Sequence, residues 1–234
     1  MKDWFPLTSY DFYAYLTTGM VVLAAFDRAF MGSFLANEMD WGIVVGVFWA
    51  AIAYLIGHII AMPSSAIIEH WLAKRVLLDP SSVILGLKNQ RWRERCFGAA
   101  VGAREYEPFS PDYSKVIVTK LRDALSVQEC EIEPEAAFQY AFPRARSLPD
   151  SANRLDNFLN LYGLCRNVSF ASFLGALFLS SLAVRTGERI DAILAIGAAI
   201  LSLGLFMRFI KFYAAYTREV FRAFEKAHAV PRIS

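Results

Sequence analysis

Three histidines and three cysteines are all that 234 residues offer as imidazole or thiolate groups. Cys96, Cys130 and Cys165 are widely spaced, odd in number and without a CxxC pair or a Cys/His ligand spacing. That pattern argues against a disulfide framework and a zinc site and leaves reduced, structural thiols. Nucleophile elbows, phosphate-cradling glycine loops and triad arrangements are missing too, so the expected catalytic set, metal set and cofactor set are all empty. Charge of one sign is also scarce. The formal balance is +2, and no Lys/Arg run joins a recognisable RNA- or DNA-binding module, which leaves nucleic acid without a footing as a partner.

Charge is scarcest where apolar residues are densest. Hydrophobic residues make up 56% of the chain, with nineteen Phe and ten Tyr, more than an ordinary globular domain hides from water. From Trp41 to Met62 the only side chain that can be charged near neutral pH is His58. At about 1.5 Å of rise per residue this run reaches roughly 33 Å, the thickness of a bilayer's hydrocarbon core. The expected fold is therefore an all-α integral membrane protein with four transmembrane helices, at about 11–30, 41–62, 168–184 and 190–210. Amphipathic cytoplasmic helices are expected between the second and third spans and at the C-terminus. The matching division is a first helix pair (1–62), a cytoplasmic helical segment (63–165), a second pair (166–213) and a basic cytoplasmic tail (214–234).

The first span is the least apolar. Trp4, Phe5, Tyr10 and Tyr13 suit an aromatic belt at the interface, and the segment reads as a retained helix and not a cleaved signal. Its uncharged part, Phe12 to Phe26, is short, so Asp27 and Arg28 are expected to reach headgroups at its far end. Pro63-Ser64-Ser65 is expected to interrupt the second helix before an amphipathic pattern resumes from Ala66 to Leu78. In the polar segment, helical spacing appears over Tyr113 to Ser126 and Glu133 to Phe142, with a loop over Arg144 to Asp150. One long helix is expected from about Ser151 to Val184, and the last span passes into a basic, aromatic-rich tail.

Lys and Arg bookkeeping sets the orientation. The loop after the first span holds Glu38 and Asp40 but no cation, and the tight loop Arg185 to Asp191 between the third and fourth holds Arg185 and Arg189, whereas Lys74, Arg75, Arg154, Arg166 and the tail lie on the other side. Both termini and residues 63–165 are therefore expected in the cytoplasm, the membrane being a bacterial inner membrane. With the chain so placed, Asp11, His58, Ser65, Glu69, His70, Arg166 and Arg208 fall at one level, a candidate polar layer at the cytoplasmic boundary. The bland alternative for these residues is a buried histidine with a polar neighbour and ordinary cationic anchors. His58 and Glu69 would be roughly 16 Å apart on a continuous helix, too far to share a proton or a metal. Gly42 and Gly46 form a GxxxG pair that permits close helix approach, between chains or within one.

The expected function is that of a multi-pass membrane protein acting by assembly or protein interaction, as an oligomeric effector, sensor or pore. Its expected partners are the bilayer and a second copy or another protein. A membrane enzyme on lipid or lipid-linked substrates and a small channel or transporter are the alternatives.

Overall fold

The computed structural model describes residues 9–37, 42–77, 79–88, 106–126 and 132–229. Helix accounts for 89% of these, and no strand occurs among them. Trp4, Phe5, Glu38, Asp40, Cys96 and Cys130 lie outside the described residues, as do the side chains of Asp11 and Arg75. Among the described residues, three helical stretches are long and apolar enough to cross a membrane: Ile43–Lys74, Pro149–Thr186 and Arg189–His228.

The chain divides into two compact units, residues 1–70 with 163–207, and residues 71–162 with 208–234. The first unit begins with α1 (Ser9–Phe30) and the single-turn α2 (Phe34–Asn37). Between them the chain reverses through Gly32 and Ser33, both in the left-handed region at φ 67° and 62°. Glycine adopts that conformation at little steric cost, and a small polar residue tolerates it next best. The turn returns α2 toward the end of α1. Asp27, expected among headgroups, is instead 3% exposed, and its Oδ1 accepts the Leu35 backbone N–H at 3.1 Å.

Helix α3 (Ile43–Ser64) runs through Pro63 without interruption, contrary to the expectation from its Pro-Ser-Ser sequence. What changes is the winding: a π-helix follows directly over Ser65–Val76. Proline removes one N–H from the ladder, but Ser65 N–H donates to the carbonyls of Ala61 and Met62, so the turn after Pro63 stays bonded. At its far end Leu77 N–H reaches Leu72 C=O at 3.0 Å, the i→i+5 pattern that defines the π form. Most π-helices are single-turn bulges, so twelve residues of it is an unusually long run.

Helices α1 and α3 pack antiparallel at close range. A Cβ on Gly19 would overlap the carbonyl of Ala53, and one on Gly57 would overlap the backbone of Tyr15. Only glycine at both crossing points permits that approach. The apolar side chains of α3 otherwise point outward: just 11% of its most apolar window is buried, with Ile43, Val44 and Val47 among the exposed residues. Water would penalise such a surface, whereas lipid does not.

The second unit contains α4 (Pro80–Ile84), α5 (Pro111–Leu125) and α6 (Pro134–Arg146). Asp79 caps α4 by accepting the Ser81 N–H, with Pro80 at the first helical position. Helix α6 continues past Phe142 through Pro143 to Arg146 and the next helix begins at Pro149, so the loop expected over Arg144 to Asp150 shrinks to Ser147 and Leu148. Its Ala137, Ala141 and Ala145 are fully buried, a small-residue stripe at i, i+4 spacing that lets neighbours approach closely. Helix α7 (Pro149–Thr186) and helix α8 (Arg189–Ala229) are the two longest elements, joined at Gly187 with φ 75°. The core of the second unit gathers Ile84, Ile117, Leu121 and Leu155 with Val220, Phe221 and Phe224 from the last turns of α8. The aromatic-rich end of the chain is thus part of a hydrophobic core, because its aromatics recur at three- and four-residue spacing on one helix face.

Candidate functional site

The predicted polar layer resolves into one connected cluster and separate residues. Glu69, on the π-helix, meets Arg166 of α7: Nη1 of Arg166 donates to Oε2 at 2.5 Å, with both side chains only 16% exposed. Ser65 sits between them, its Oγ donating to Glu69 Oε2 at 3.5 Å and accepting from Arg166 Nη1 at 3.4 Å. Arg166 Nε donates to Asn167 Oδ1 at 3.2 Å, and the buried Ser64 hydroxyl donates to the Arg166 carbonyl at 3.2 Å. The ring of His70 lies 3.1 Å from the Ser65 carbonyl through Nδ1.

Local sequence explains the convergence. Ser64 and Ser65 stand at the change from α to π winding and point hydroxyls toward α7, while Glu69 lies four residues on, along the same side of the helix. A part-buried ion pair offsets its desolvation better when its other donors and acceptors find partners, and here Ser65 and Asn167 supply two such contacts.

His58 belongs to a different environment. Its ring stacks on Tyr15 at 3.8 Å and meets Tyr54 edge-on at 4.7 Å, with an open groove alongside lined by Met62 and Ser65. Glu69 faces Arg166 and His58 faces aromatic rings, so the two are not joined. Asp11, expected at the same level as His58, lies on α1 with its side chain outside the described residues. Arg208 belongs to the second unit, its guanidinium 5.2 Å from the Phe212 ring centre.

A second charged cluster, which sequence reading did not assemble, closes the opposite end of α1. Arg28 donates through Nε and Nη2 to Oδ1 of Asp191, at 3.0 and 2.8 Å, and approaches Glu188 at 3.5 Å. Thr186 Oγ1 donates to Asp191 Oδ2 at 3.3 Å, and Arg185 donates to the Ala29 carbonyl at 3.1 Å. The available signal was topological. Asp27-Arg28 and the Arg185 to Asp191 loop were both expected on the non-cytoplasmic side, and Arg28 pairs with Asp191 and Glu188 as complementary charges.

Helix glycines fall into two sets. Gly19, Gly57 and Gly175 have neighbours at or inside close contact, whereas a Cβ on Gly42, Gly46, Gly197 or Gly204 would meet nothing within 4 Å. The GxxxG pair is therefore unused in packing among the described residues. Polar groups within the apolar helices are mutually satisfied in one case: Ser169 and Ser202 each donate to the other's carbonyl, at 2.8 and 2.9 Å, linking α7 to α8. Among the described residues no group of three or more His, Cys, Asp or Glu has the arrangement to hold a metal ion. Comparison with family models, curated proteins and solved structures returned no match for this chain.

Proposed function

We propose that this protein is a four-span inner-membrane protein that acts by self-association, its spans assembling through the open glycine face of α3 while residues 63–165 and the C-terminal helix receive a signal in the cytoplasm. The observation that carries the reading is the contrast between the glycines. Those at the α1–α3 crossing are filled by neighbouring backbone, and Gly42 and Gly46 are open beside exposed Ile43, Val44 and Val47. Within lipid the hydrophobic effect does not drive helices together, so close backbone approach at small residues is what an intermolecular contact uses.

Two contacts support counting α1 as a fourth span. It lies antiparallel along α3, the most apolar helix, and its last turn reaches Asp191 and Glu188 at the start of α8. A helix that shares both the side and the end of membrane-crossing neighbours shares their depth. Orientation rests on cation asymmetry, with no Lys or Arg in residues 31–40 and many on the opposite side.

Crosslinking in intact membranes tests the assembly. In a background where Cys96, Cys130 and Cys165 are replaced by Ser, cysteine at Gly42 is expected to give a disulfide-linked dimer on mild oxidation, and cysteine at Tyr15 none. Absence of dimer at Gly42, or equal dimer at both positions, contradicts the reading. Reporter fusions check orientation: a cytoplasmic reporter after Ser234 is expected to be active, and one inserted after Gly187 inactive.

A further inference from the structure

Beside the Arg28–Asp191 cluster the first unit holds a cavity of about 480 Å³, bounded by α1, the turn that follows it, α3 and the first turns of α8. Its walls are apolar, with Met20, Leu23, Trp49, Ala50 and Leu194, and polar groups gather at one end as Asp27, Arg28 and Ser33. A chamber of this size with apolar walls and a few convergent polar groups has the general form of a small-molecule site.

The three polar residues are not equivalent. Arg28 is engaged by Asp191, Glu188 and the Ser33 hydroxyl. Asp27 is 3% exposed, and its carboxyl accepts one hydrogen bond among the described residues, from the Leu35 N–H to Oδ1. Its second oxygen is left for a ligand. A buried carboxyl with acceptor capacity to spare, at the end of an apolar chamber, favours a group that donates hydrogen bonds and carries positive charge, and disfavours anions and purely apolar occupants. Trp49 adds an aromatic face suited to a cation.

We propose that this cavity binds an ammonium head on an apolar body, with Asp27 accepting from the ammonium and Met20, Leu23 and Trp49 packing against the body. The inference rests on α1 and α3 lying in a membrane, and Gly46 of the proposed assembly face also lines the cavity. Two sources supply that chemistry, the amine headgroup of phosphatidylethanolamine and a free lipophilic amine.

The test titrates dodecylamine into the purified full chain in maltoside micelles and follows tryptophan fluorescence. The wild type is expected to respond saturably to dodecylamine and at least tenfold more weakly to dodecanol. Asp27→Asn keeps an oxygen for the Leu35 N–H and is expected to lose the preference for the amine. Ala50→Phe, which fills the chamber while leaving Asp27 intact, is expected to abolish the response. Native mass spectrometry then separates the sources. Phosphatidylethanolamine retained by the wild type and depleted in Asp27→Asn identifies the lipid, and an amine response without retained lipid identifies a free amine. Equal affinity of wild type and Asp27→Asn for dodecylamine, an equal response to dodecanol, or a full response in Ala50→Phe overturns the proposal.

Discussion

Arg28 and Asp191, 163 residues apart in sequence, are joined by two hydrogen bonds to a single carboxylate oxygen, at 3.0 and 2.8 Å. Asp191 is almost fully buried while Arg28 keeps some solvent access, with side chains 1% and 38% exposed. Removing the arginine is therefore worse than neutralising the aspartate. Arg28→Ala leaves a buried charge with its cation gone and is expected to destabilise the first unit by about 3 kcal/mol. Asp191→Asn keeps an acceptor and is expected to lose about 1 kcal/mol. Thermal unfolding in detergent gives both values, and reversal of their order would contradict the contact.

The α1–α3 crossing makes a sharper demand. Gly57→Ala forces a methyl into the backbone of Tyr15, and Gly19→Ala forces one into Ala53, so each is expected to lower stability by about 3 kcal/mol or to part the helices. Gly42→Ala meets open space and is expected to change monomer stability by less than about 0.5 kcal/mol. The three variants measured side by side separate packing glycines from surface ones.

For Glu69 and Arg166 a double-mutant cycle is the informative measurement. Each single change, Glu69→Gln or Arg166→Gln, strands a largely buried partner, while the double change removes both charges. A coupling of about 2 kcal/mol is expected. His58→Ala, which loses ring contacts with Tyr15 and Tyr54, is expected to cost about 1 kcal/mol and to show no coupling to Glu69→Gln.

Tyr113 supplies a pH dependence in the second unit. Burial, followed by the nearby Glu225 and, more weakly, Glu219, raises its phenol above the ordinary value of 10.0, with Arg222 opposing. The folded state thus holds this proton more tightly than the unfolded chain. The stabilisation is complete below pH 10.0 and is lost as pH rises through the raised value. Tyr113→Phe is expected to reduce the fall in stability on the alkaline side, measured by helical circular dichroism of the second unit's unfolding.

Hydropathy revealed much of this fold and little of its side-chain pairing. Uninterrupted apolar sequence made α3, α7 and α8 legible, because a span depends on summed transfer energy and tolerates local detail. Helix α1 is less visible: its uncharged run is short, and its place beside α3 depends on Gly19 and Gly57 meeting across a crossing no local pattern encodes. Pro63 misled for a related reason. Its missing N–H is a local property, but the helix runs through it and changes from α to π winding over the following twelve residues. Ser65, Glu69 and Arg166 were placed at one level by charge and depth, and they do converge. His58 was placed there by the same reasoning and lies instead among tyrosine rings, since depth fixes height along the membrane normal but not azimuth around a helix. The pairing of Arg28 with Asp191 needed knowledge that α1 adjoins the α7–α8 turn.

Native mass spectrometry of the full chain released from lipid nanodiscs tests association through the α3 glycine face. Multiples of the 26.3 kDa chain are expected for the wild type and a monomer for Gly42→Leu, with helical content unchanged. A single 26.3 kDa species for the wild type, or oligomers that persist unaltered in Gly42→Leu, would contradict that association.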